Sequence, residues 1–253
     1  MSVELPVRMY CFAHSAEGVF AFGDWAADVG PGVEPVPVLL PGCTQRRTEP
    51  RVTTRTALLA EVLPLFTGPH PGPYALYGHG LGALAALTAA RALHEEGLPG
   101  PVFLGVGSWP PPLPPAGLPD VRRATDAALL DVLGGGGVVP PGSDEGILLR
   151  AALPVLRADL ELAQDLREAA DRPWPAGPLT TSVLVVVSED DDPPAAADAS
   201  AAVGDWREWT LGPVHSRTVP GPLLARGSAE LPQLLGRACR VARRLLPESA
   251  AVG

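Results

Sequence analysis

Five residues, Gly78-His79-Gly80-Leu81-Gly82, carry the strongest chemical signal in this 253-residue chain. A short apolar run leads into them and an Ala/Leu-rich helical pattern leaves them, so they must turn a strand into a helix. Glycines at the first and fifth positions let the chain reverse tightly and let strand and helix approach. That is the frame of a nucleophile elbow, G-x-S-x-G, whose third residue aims an oxygen or sulfur at a substrate. Here the third residue is Gly80, which has no side chain to attack anything. Glycine accepts positive φ without steric cost, so the turn itself is expected to survive. On these five residues alone, an ordinary glycine-rich turn, including the phosphate-binding kind, stays open.

Other groups are weighed as substitutes. Cys43 follows Leu40-Pro41-Gly42 and is expected at a cleft mouth or, more simply, in packing. Cys11 falls inside a strand pattern. Ser108 follows the expected strand 102–106 at its carboxyl end, where open α/β sheets place ligands. Neither Cys43 nor Ser108 has an evident basic partner in sequence. His14 is expected to shape the cleft wall and His79 to be structural at the elbow, while His70 and His94 read as surface residues.

Composition removes whole classes of chemistry. All 19 basic residues are Arg, so a Schiff-base lysine, a pyridoxal-phosphate anchor and a Walker-loop lysine are excluded. A net charge of −9 without a long basic run argues against nucleic acid or an anionic membrane as main partner. The three cysteines are far apart, with neither metal-ligand spacing nor a disulfide framework, so no metal or cofactor is expected and a reducing cytoplasm is the simplest location. No signal peptide and no membrane span is visible.

The elements that must position these residues read as a mostly parallel α/β sheet covered by helices. Strands are expected at 7–12, 36–40, 74–77, 102–106, 182–187 and 214–219, and helices at 53–66, 81–96, 195–209 and 228–246. The helix from Leu81 is dominated by Ala and Leu, fit for close packing on the sheet centre, and Gly97 should stop it. From 109 to 178 the rhythm breaks into a proline cluster, an amphipathic run at 121–133, four glycines at 134–137 and a long helical pattern from Glu145 to Ala170. The expected organisation is a core of residues 1–108 and 179–253 with a helical insertion at 109–178, either a lid over a cleft or a static cap.

Read in order, the chain resembles the type II thioesterases of polyketide and nonribosomal-peptide assembly lines. Met9-Tyr-Cys-Phe-Ala-His14 resembles their first strand and histidine loop, Leu40-Pro41-Gly42 their LPG turn, and Gly72-Pro-Tyr-Ala-Leu-Tyr-Gly-His79 their approach to the elbow. Leu156-Arg-Ala-Asp159 resembles their lid-helix motif, and Ser188-Glu-Asp-Asp-Asp-Pro193 their acidic turn. Trp206-Arg207-Glu208 and Val219-Pro220-Gly221 resemble their closing segment.

The resemblance implies an α/β-hydrolase fold and a Ser–His–Asp triad acting on acyl groups of carrier-protein phosphopantetheine arms. It also implies that two triad positions are empty here. Gly80 stands for the serine, and Pro220-Gly221-Pro222-Leu223 puts Leu223 where the imidazole belongs. Only the acid remains, best matched by Asp192, with Asp190 and Asp191 as alternatives in register. Losing a triad nucleophile or base costs roughly six orders of magnitude in turnover. The backbone oxyanion donors, by position Leu81 and Ser15, would persist. A buried Asp192 without its imidazole would bind its proton more tightly unless a cation such as Arg226 or His215 replaced the histidine. The expected function is therefore binding of an acyl or polyketide-derived molecule, with non-covalent cyclisation, elimination or isomerisation centred on Asp192. A non-catalytic pseudo-thioesterase that binds a carrier protein, synthase or product is the alternative, and residual thioester hydrolysis ranks last.

Overall fold

The computed structural model describes residues 5–13, 16–67, 72–107, 120–133, 144–170, 172, 174–190, 206–225 and 227–245. Six strands form one all-parallel sheet in the order β2-β1-β3-β4-β5-β6. They are β1 (Val7–Phe12), β2 (Val33–Pro37), β3 (Tyr74–His79), β4 (Leu104–Gly107), β5 (Val183–Ser188) and β6 (Val214–Val219). The interior strand β5, Val-Leu-Val-Val-Val-Ser, is buried at all six positions, as a strand covered on both faces must be. The edges look different. β6 is partly or fully exposed at every position before Val219, and β2 carries Pro35 and Pro37, which an edge strand tolerates because one side needs no ladder.

The sheet separates two cores. One side packs α2 (Arg55–Val62), α3 (Pro64–Thr67), α4 (Leu81–Glu95) and α6 (Asp144–Ala170) against the sheet and one another, and α5 (Asp126–Leu133) packs on α6. The other packs α1 (Ala16–Asp24) and α7 (Glu230–Arg244). α4 is buried along nearly its whole length, because alanines let its axis approach the sheet. It ends as expected: Gly97, at φ 66°, donates to His94 O while Leu98 donates to Leu93 O, the paired bonds of a glycine-terminated helix. Arg91, on α4, donates to the carbonyls of Ala169 and Ala170 at the end of α6 and stacks 3.6 Å over the Trp174 ring. Burial lowers its pKa to about 10.

Several expected boundaries move for local reasons. The strand placed at 36–40 begins three residues earlier, because its prolines conceal an edge strand. The helix placed at 53–66 is two, since Pro64 has no N–H to continue α2. The amphipathic run at 121–133 becomes helical only from Asp126. The helix expected at 195–209 lies outside the described residues up to 205, as do 109–119 and 134–143 of the insertion. Among the described residues, no helix is long and apolar enough to cross a membrane, and no group of potential ligands gathers to hold a metal ion.

Candidate active site

The strand order reverses between β1 and β3, because β2 lies on one side of β1 and β3 on the other. Such switch points open a crevice at the carboxyl ends of the strands. Phe12 pairs with Gly78, so the chain leaving β1 and the turn leaving β3 meet there. Gly80 sits in that turn at φ 56°, ψ −127°, a backbone that L-residues rarely adopt. Its N–H donates to Gly107 O at 3.0 Å, and its carbonyl accepts from Ala83 N at 2.9 Å. The flanking glycines are required by space. A Cβ on Gly78 would collide with the Gly82 carbonyl and Ala83 Cα, and one on Gly82 would collide with the Phe12 carbonyl. Strand and helix therefore cross as closely as their spacing in sequence implies. Leu81 is the first residue of α4, where an amide has no acceptor within the helix and points toward the crevice end of the sheet. His14 and Ser15, expected beside it, lie outside the described residues, as does Ser108.

Beneath the elbow three side chains converge on Gly107. A Cβ there would collide with the Tyr77 hydroxyl and would stand 3.1 Å from Leu223 Cδ1 and 3.2 Å from His79 Nδ1. Leu223 is 4% exposed and belongs to the core cluster on the α1/α7 side. Leu223 and His79, the latter one residue before Gly80, thus face the same point above Gly107. Tyr77 is fully buried between Phe22 and Trp25, and its hydroxyl has no hydrogen-bond partner among the described residues. Burial drives its pKa upward, so the phenol stays protonated. Sequence reasoning missed Tyr77, because nothing in a strand pattern marks which aromatic lies under a turn.

The acidic turn follows β5. Ser188 Oγ donates to Gly221 O at 2.7 Å and accepts from Asp190 N at 2.9 Å, tying this turn to the one that carries Leu223. Asp190 is exposed; Asp191, Asp192 and Arg226 lie outside the described residues. The other cation weighed in the sequence, His215, is described. It is exposed at the start of β6 and pairs with Leu184, four residues before the level of Ser188, about 13 Å down the strand.

On the helix side, Leu40, Pro41, Cys43, Arg51, Val52, Leu81, Asp159 and Leu162 line a small cavity of about 20 Å³. Arg51 bridges its walls, donating to Gly42 O at 2.8 Å and to Asp159 at 2.6 Å. Burial opposes the Arg51 charge, but the Asp159 hydrogen bond and charge outweigh it and its pKa rises. Cys43 is buried here beside Leu81. Burial raises its pKa; Arg51 opposes the rise and Asp159 adds to it. A neutral thiol is a poor attacker, so Cys43 fits the packing role better than the nucleophilic one. Burial likewise raises Cys11, and raises Cys239 to about 12. The Asp159 partner was visible in sequence only as part of a motif; Arg51 gave no signal.

The thioesterase domain family matches residues 7–238. Thioesterase PikA5 of Streptomyces venezuelae is 32% identical over 219 residues, 85% of this chain and 74% of that protein. Among solved structures, the thioesterase RedJ of the prodiginine pathway of Streptomyces coelicolor superposes with a TM-score of 0.70 at 29% identity, covering 92% of this chain and 85% of its own. The type II thioesterase BorB of the borrelidin cluster gives 0.61 at 25% identity, covering 85% and 82%. The parallel sheet, the switch-point elbow and these likenesses together make the chain a member of the thioesterase family, with the α/β-hydrolase fold, alongside the type II thioesterases of polyketide and nonribosomal-peptide biosynthesis.

Proposed function

We propose that this thioesterase-family protein has left Ser–His–Asp hydrolysis and binds an acyl or polyketide-derived intermediate, on which it promotes cyclisation, elimination or isomerisation without a covalent enzyme intermediate. The observation that carries the reading is Gly80 at the centre of an elbow whose geometry is otherwise kept. Leu223 supports it, since an apolar, buried side chain facing Gly107 stands where the family resemblance calls for the base. In this reading the Leu81 amide, with Ser15 as second donor, holds a substrate carbonyl oxygen, and one such donor is worth about 3–4 kcal/mol in hydrolases. Asp192 takes a proton from the adjacent carbon, the electron pair passes to that oxygen as an enolate, and the proton returns at another atom or leaves with the eliminated group. His14, His79 and Ser108 line the substrate, and residues 109–178 act as the lid. The substrate arrives free or on a carrier-protein phosphopantetheine arm.

A second reading, a non-catalytic protein that binds a carrier protein, synthase or product, draws support from the same Leu223: its burial removes an ionisable group from the crevice and adds nothing reactive. Incubating intermediates of the chain's own biosynthetic pathway with wild type and Asp192→Asn, followed by mass spectrometry, separates the two. Conversion at unchanged mass, or with loss of water, that is abolished in Asp192→Asn supports the first reading. Saturable binding with no conversion supports the second.

A further inference from the structure

α7 carries four of the chain's 19 arginines, Arg237, Arg240, Arg243 and Arg244, against a single carboxylate, Glu230. In a protein of net charge −9 this is a local reversal of sign. Two of the four serve the fold: Arg240 donates to Val29 O at 2.7 Å, and Arg243 to Leu5 O. The other two, Arg237 and Arg244, are exposed and form no ion pair among the described residues. Arg244 complements the helix dipole in the last turn, but Arg237 stands mid-helix, where the dipole offers it nothing. Spacings of four and three residues put Arg237, Val241 and Arg244 on one face, with Val241 55% exposed between the two cations and Leu245 79% exposed beside them. The two guanidinium-bearing positions are two turns apart, about 10.5 Å along the axis.

The contacts of Arg240 ahead of β2 and of Arg243 ahead of β1 fix this half of α7 at the amino ends of the strands. The elbow lies at their carboxyl ends, so a molecule entering the crevice does not touch this face.

We infer that the outer face of α7 is a docking surface for an acidic helix of a partner protein, whose carboxylates two turns apart meet Arg237 and Arg244 and whose intervening apolar residue packs on Val241. Guanidinium groups pair with carboxylates in bidentate fashion, and arginine beside apolar surface is the composition of protein interfaces. Two outward cations fall short of the cluster of four to eight that holds an anionic membrane, and the net charge repels polyanions at longer range. The inference does not depend on which reaction the elbow supports.

The test is fluorescence anisotropy of the full chain with a fluorescein-labelled amphipathic helical peptide bearing Glu pairs two turns apart around a leucine. A scrambled peptide of equal charge and vesicles containing phosphatidylserine serve as comparators. The expected result is saturable binding of the designed peptide at 25 mM NaCl, weakened at least tenfold at 300 mM. Arg237→Glu/Arg244→Glu should weaken it at least tenfold, and Arg237→Gln/Arg244→Gln should also weaken it while melting like wild type. Arg123→Glu, a change at a side chain 89% exposed away from α7, should bind as wild type does. Any of four results overturns the inference: no binding by wild type, equal affinity in both α7 variants, equal affinity for the scrambled peptide, or vesicle binding that only the α7 variants lose.

Discussion

At Gly82 a single carbon decides whether β1 and α4 can meet. A Cβ there strikes the Phe12 carbonyl, a backbone atom that cannot swing aside, so Gly82→Ala should lower unfolding free energy by about 1–3 kcal/mol and disturb the elbow. Gly23 offers the opposite sign. It lies in α1, is exposed, and has nothing within 4 Å of the place a methyl would take, so Gly23→Ala should be neutral or stabilising by up to about 1 kcal/mol. Urea unfolding of the two variants checks both signs, and a Gly82→Ala protein as stable as wild type would contradict the close crossing. The elbow was legible in the sequence because its three glycines follow one another at a fixed spacing. Tyr77, which closes the floor beneath it, was not, since its role comes from Gly107, thirty residues away in the chain.

Between elements, the sequence spoke clearly wherever a segment is buried by its own composition. β5 is a run of valines covered on both faces, and α4 is a run of alanines closed by Gly97, so both stood near their true bounds. It spoke poorly at β2, whose prolines are tolerated only because it is an edge, and at contacts that join distant residues. The Arg51–Asp159 pair spans 108 positions and binds α6 to the turn at Gly42. Together with Arg91 on the last carbonyls of α6, and with Asp165 accepting from Arg55 N at 2.6 Å, it anchors the carboxyl half of that helix to the core. Pro154 lies inside α6, and the segment ahead of it exposes Ile147 and Leu148. Any lid movement therefore belongs to the amino half. Asp159→Asn should weaken the anchor by about 1.5–3 kcal/mol, the value of a hydrogen bond to a charged group. It should also speed alkylation of Cys43, read by mass spectrometry of the labelled peptide; unchanged labelling would show that the pair does not seal this cavity.

Across the whole molecule, buried acids with raised pKa values set the response to alkali. Cys11, Cys43, Cys239, Tyr74 and Tyr77 all hold their protons more tightly in the fold, chiefly through burial. Above pH 9 for the thiols, and above pH 10 for the phenols, the unfolded chain releases protons that the native chain keeps, so stability is complete below those values and falls as pH rises through them. The urea midpoint should thus be lower at pH 10.5 than at pH 8.5, and a flat profile would contradict the burial of these groups. The fold and its family belong to the whole chain, while the proposed departure from hydrolysis rests on positions 80 and 223. The most direct measurement is intact-protein mass spectrometry of an acyl-loaded carrier protein mixed with excess wild-type chain. The account predicts that the acyl group stays on its phosphopantetheine arm, with loss no faster than in buffer; rapid release of free acid would contradict it.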